Sequence, residues 1–160
     1  MNKFDKIIFW AEFPSKIKNT NLIDFETEVY VTSKNLKEYK YWKKILSNNK
    51  IKIEVWPILS FKSGYWFSKY TAVKDIDKLK EFNGIDMKID IEPPIPYRSR
   101  LFKKFSLYSL IKDGNSELSK HKLDNREYLL KTINSLRSKK VIISGFPFPN
   151  FLSKSYGDDV

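Results

Sequence analysis

At 160 residues, with 41% hydrophobic and 16% aromatic, the chain is long enough for one domain with a real core, and its composition excludes disorder. It has no cysteine, so neither a disulfide framework nor a thiolate metal site is open to it. The formal charge of +11 invites phosphate partners, yet only four of the 30 basic residues are arginine, whose planar fork specific nucleic-acid recognition needs. The excess charge therefore reads as a solvated lysine surface and argues against nucleic acid.

The charged start, Met1 to Lys6, leads into an apolar run too short for a signal peptide or a membrane span. A cytoplasmic protein with no membrane partner is expected. Residues 6–13 form a β-rich run stopped by Pro14, the first predicted strand. Residues 28–32 are short and β-branched, the second strand. Residues 35–48 carry Leu36, Tyr39, Ile45 and Leu46 near helical spacing, with Trp42 favoured for the core. Residues 51–56 alternate apolar and polar up to Pro57 and give the third strand.

Residues 75–82 present Ile76, Leu79 and Phe82 on one face, which predicts a short helix closed by Asn83 and Gly84. Residues 87–92 are the fourth strand, cut off by Pro93 and Pro94. A helical region is expected over 98–111. Another helix begins at Asp124, a predicted cap with Glu127 reaching back to it. Residues 140–146 are the fifth strand, and 147–160 read as loop.

Alternating strands and helices imply right-handed crossovers and a parallel sheet. Two architectures compete, a parallel (β/α) barrel and a doubly wound open sheet. In the doubly wound sheet the central strands would be apolar on both faces. Here one face of each strand is apolar, whereas the other turns polar toward its C-terminal end: Trp10 and Glu12; Glu54 and Trp56; Lys88, Asp90 and Glu92. That pattern predicts an α/β protein of five strand–helix units, part of a barrel with functional groups at its top. A complete eight-unit barrel takes about 250 residues. The expectation is therefore a single domain over residues 1–160, the N-terminal part of a larger barrel or one that self-associates to complete itself.

Asp90 and Glu92 are two apart on a strand and share a face, where one could donate a proton while the other stabilises charge. The same pair could simply cap the strand or bind Lys88. The stretch Gly84-Ile85-Asp86-Met87-Lys88-Ile89-Asp90-Ile91-Glu92-Pro93-Pro94 resembles the fourth-strand motif of chitinase-like glycoside hydrolases of the family 18 type, Asp-x-x-Asp-x-Asp-x-Glu followed by Pro. The resemblance implies a TIM barrel that cleaves or binds carbohydrate. It makes Glu92 the general acid and Asp90 the residue that orients the substrate's N-acetyl group, with no cofactor. The motif's first two aspartates fall on Ile85 and Lys88, which leaves open a non-catalytic or truncated barrel remnant. A basic nucleic-acid-binding protein is the third alternative.

Trp10, Trp56, Tyr65 and Trp66 sit at or just past strand ends, where sugar rings could stack on them or where they could pack as core. Gly64 allows an unusual turn in the loop that carries Tyr65 and Trp66. Glu12 closes the first strand as a candidate second carboxylate. His121 alone supplies neither a metal site nor a catalytic pair, and Asp158 and Asp159 read as solvated. No glycine-rich nucleotide loop is present.

Overall fold

The computed structural model describes residues 6–92 and 124–145. The expected helix over 98–111, His121, the loop over 147–160 and Asp158 and Asp159 lie outside the described residues.

Five parallel strands follow one another across the sheet in chain order: β1 (Ile7–Ala11), β2 (Thr27–Ser33), β3 (Ile51–Pro57), β4 (Met87–Ile91) and β5 (Val141–Gly145). The sheet curls into a half-barrel with a helix in every connection except the first, so the expected five strand–helix units are not all present. A doubly wound sheet would reverse direction partway, so the unbroken order rules that alternative out.

The outer face holds the main core. Val29 and Val31, Ile51, Ile53 and Val55, and Met87, Ile89 and Ile91 pack there with Tyr39, Leu46, Ile76, Leu79, Phe82, Leu129 and Ile133. Helix α1 (Leu36–Leu46) starts where the Asn35 side chain accepts from the Glu38 N–H at 2.9 Å, while Glu38 accepts from the Lys34 N–H at 2.8 Å. Helix α3 (Arg126–Ser135) follows; its N-cap is Asn125, with no side-chain capping bond, one residue beyond the expected cap Asp124, whose carboxylate instead accepts from the Arg126 N–H at 3.1 Å.

The helix expected over 75–82 takes a different form. Only α2 (Val73–Ile76) is α-helical, and Asp77–Phe82 winds as a 3-10 helix. Ile76, Leu79 and Phe82 are spaced by three, the period of a 3-10 turn, and all three are buried. The ion pairs Lys78–Asp75 and Lys80–Asp77, each 2.5 Å, have the same spacing. Gly84, at φ 82°, turns the chain into β4.

The β1–β2 connection has no helix, only the 3-10 turns Pro14–Lys16 and Thr20–Leu22. Among the described residues no helix is long and apolar enough to cross a membrane.

Candidate functional site

Strand register sets the inner face of the half-barrel. Tyr30 pairs with Trp10 on one side and Glu54 on the other, Val55 pairs with Met87, and Met87 with Val141. Side-chain alternation then puts Tyr30, Thr32, Glu54, Trp56, Lys88, Asp90, Ile142 and Ser144 on the inner face, in layers.

The deepest layer is ionic, and its closing members were not foreseen from sequence. Carboxylate oxygens of Glu28, Glu54 and Asp86 all lie within 4.8 Å of one another, a spacing that could hold a metal ion. Lys52 already occupies the cation's place. Its Nζ bonds Glu54, and it lies 3.1 Å from Asp86 and 3.6 Å from Glu28. Lys140 Nζ lies 3.0 Å and Lys6 Nζ 3.3 Å from Glu28.

Burial pushes the Glu28 carboxyl up, but Lys140 and Lys6 outweigh it and hold it below its ordinary value. Asp86 is lowered as well: burial is overcome by Lys52 and by backbone N–H donors, that of Lys140 at 3.0 Å. For Glu54 burial wins over Lys52 and its pKa is raised. Lys52 is raised by its bond to Glu54, and Lys140 by its bond to Glu28. Three carboxylates facing three lysines form a balanced network that supplies its own cation. Sequence alternation signals Glu28 and Glu54 on one face, but the register that brings Asp86 to them is invisible to it.

The upper layers are built differently. β3 and β4 pair only at Val55 and Met87, and above that point a segment of loop enters between them. Phe67 bridges Ile91, its N–H donating to the Asp90 carbonyl at 3.2 Å and its carbonyl accepting from the Glu92 N–H at 2.9 Å. The wedge is shaped by the turn over 60–65, where Ser60 accepts from the Ser63 N–H, Gly64 has φ 108° and Tyr65 has φ 69°. A tyrosine in the left-handed region costs about 1–2 kcal/mol, and strain of this kind concentrates at functional sites.

The wedge brings Trp66 flat against Trp56, ring centroids 5.2 Å apart and planes 14° apart, with Tyr65 edge-on to Trp66 at 4.5 Å. Lys88 also lies over Trp56, its Nζ 3.9 Å from the ring centroid and 5.3 Å from that of Trp10. Lys88 and Asp90, 5% and 4% exposed, are bonded to each other, and Asp90 Oδ1 also accepts from the Ser144 hydroxyl.

Trp66, Trp56, Lys88 and Trp10 thus form one column. Trp56 and Trp66 are buried in it, whereas Trp10 is 59% exposed. The indole N–H groups of Trp56 and Trp66 meet no acceptor among the described residues. Glu12 is exposed just past β1, its backbone carbonyl accepting from the Thr32 hydroxyl at 2.8 Å. Burial, together with the Glu12 carboxylate beside it, pushes the Tyr65 phenol up to about 12. Glu92, half-buried, closes β4 beside Phe67. Trp42 packs on the outer core with α1, well away from this column. The chain matches no protein-family model, no curated protein and no solved structure.

Proposed function

We propose that this half-barrel belongs to a glycoside-hydrolase-like TIM barrel that binds carbohydrate at the C-terminal rim of its strands and cleaves it with Glu92 as general acid. The observation that carries the reading is the aromatic column ending in the open ring of Trp10, on the same polar face as Asp90. Sugar rings present C–H faces that pack on such a ring, while hydroxyls and the N-acetyl carbonyl need donors and acceptors at its border. Glu12, Tyr65 and Glu92 supply acceptors and a phenol there. Barrel sites form at the C-terminal ends of strands, which favours this end over the ionic layer.

A second reading, binding without cleavage, is favoured by one contact. Lys88 stands where the resembling family has an aspartate, and it ties Asp90 down. The test is hydrolysis of N-acetylated oligosaccharides by the wild type and by Glu92→Gln. Loss of turnover by about 100-fold or more in Glu92→Gln, with binding retained, supports the acid role. A wild type that binds without cleaving supports the second reading, and a wild type that does not bind overturns both.

A further inference from the structure

We propose that the groove between α1 and the turn into β4 is a second binding site, specific for a small phosphomonoester. It encloses about 420 Å3, within the range of small-molecule sites. Lys40 and Lys43 line it from α1, Lys52 from β3 and Lys139 from the approach to β5, against the two carboxylates Glu54 and Asp86. Both carboxylates are already satisfied through Lys52, and Asp86 also accepts from the Lys140 N–H.

The remaining three lysines are left over. Lys40, Lys43 and Lys139 make no ion pair with any described residue. Lys43 is near enough to pull the Glu54 pKa down but reaches only the Tyr39 ring, 5.6 Å from its centroid.

Three unpaired lysines lining one concavity give it an excess of positive charge, and a phosphomonoester carries about two negative charges at neutral pH. Leu36, Tyr39 and Ile85 give the groove an apolar wall for the organic part of the ligand. The lip stays open at Gly84, where an added Cβ would meet nothing within 4 Å. Convergence of three lysines on a bounded groove favours a compact dianion over a phosphodiester strand, which would run past it along the surface.

This site is independent of the rim, since none of its lysines belongs to the aromatic column. Calorimetry and amide-resolved NMR on the full chain would use inorganic phosphate, adenosine monophosphate and a short thymidine oligonucleotide as probes. Saturable binding of adenosine monophosphate, tighter than the oligonucleotide, is expected, with shifts at Lys40, Lys43, Gly84 and Lys139. The double substitution Lys40→Ala with Lys139→Ala should weaken it by at least about tenfold. Lys131→Ala, at an exposed position on α3 outside the groove, should leave it unchanged. Because Lys40 and Lys139 are exposed, the variants should keep the wild-type far-UV spectrum. No saturable binding of either phosphate probe, an equal loss with Lys131→Ala, or tighter binding of the oligonucleotide would each overturn the assignment.

Discussion

At the N-terminal end of the inner face, Glu28, Glu54 and Asp86 are matched by Lys6, Lys52 and Lys140, whose side chains are 44%, 59% and 38% exposed. At the C-terminal end a single lysine and a single aspartate are both sealed from water, beneath indole rings. In the lower layer a lost lysine can be replaced at Glu28 by its neighbours, since three solvent-reaching ammonium groups face that carboxylate. In the upper layer it cannot, because Lys88 and Asp90 have given up hydration and depend on each other, on Ser144 and on the Trp56 face. The lower layer thus keeps a solvated lysine side around buried carboxylates, whereas the upper one is a fixed, dry constellation of the kind ligand sites use.

The strongest way to break this contrast is to remove one member of the buried pair. Lys88→Met should cost about 3–5 kcal/mol in urea unfolding, because it leaves the Asp90 carboxylate buried and uncompensated. Adding Asp90→Leu should recover at least half of that loss, since an apolar pair needs no counterion. By contrast Lys6→Met in the lower layer should cost only about 1 kcal/mol, since Lys140 and Lys52 still face Glu28. Equal costs at the two ends would erase the distinction.

The lower layer should also set the acid limb of stability. Glu28 and Asp86 have folded values below their ordinary ones, so they contribute stability above the ordinary carboxylate range and lose it as pH falls through their folded values. Glu54 has the opposite sign. Its raised value means that protonation relieves a burial penalty, so stability should rise slightly as pH drops toward about 4.5 and then fall. Urea midpoints measured from pH 7 to pH 2.5 would show a shallow maximum followed by a decline. The decline should flatten in the Glu28→Gln, Asp86→Asn double variant, and an unchanged acid limb would contradict the assignment.

The smallest effect on stability should come from the residue with the largest effect on binding. Trp10→Ala removes a mostly exposed ring and should shift stability by less than about 1 kcal/mol, while weakening oligosaccharide binding at least about tenfold. A stability loss of several kcal/mol would make Trp10 a core residue instead.

These contrasts also separate what the sequence can carry from what it cannot. All five strands were legible, because β-branched alternation and the stops at Pro14, Pro57 and Pro93 are local signals. The polar inner face and the chain-order sheet followed from period-two patterning alone. The 3-10 winding of Asp77–Phe82 was missed although the spacing of Ile76, Leu79 and Phe82 by three carried it, since an apolar face with that spacing also suits one α-helical turn. The Lys88–Asp90 bond was one of the alternatives open from sequence. The Glu28–Glu54–Asp86 layer and the entry of Phe67 between β3 and β4 were not legible, because both depend on where β4 is registered against β3. Register is a property of strand pairs, and no single segment encodes it.

The central claim, that ligands bind at the C-terminal rim, can be read from the chain's four tryptophans. Trp10, Trp56 and Trp66 make up the aromatic column, while Trp42 lies on α1 against the outer core. Proton–nitrogen NMR of the indole N–H groups during titration with an N-acetylated oligosaccharide should shift the first three signals and leave Trp42 in place. Saturating shifts confined to Trp42, or no indole shift at concentrations where calorimetry registers binding, would contradict the account.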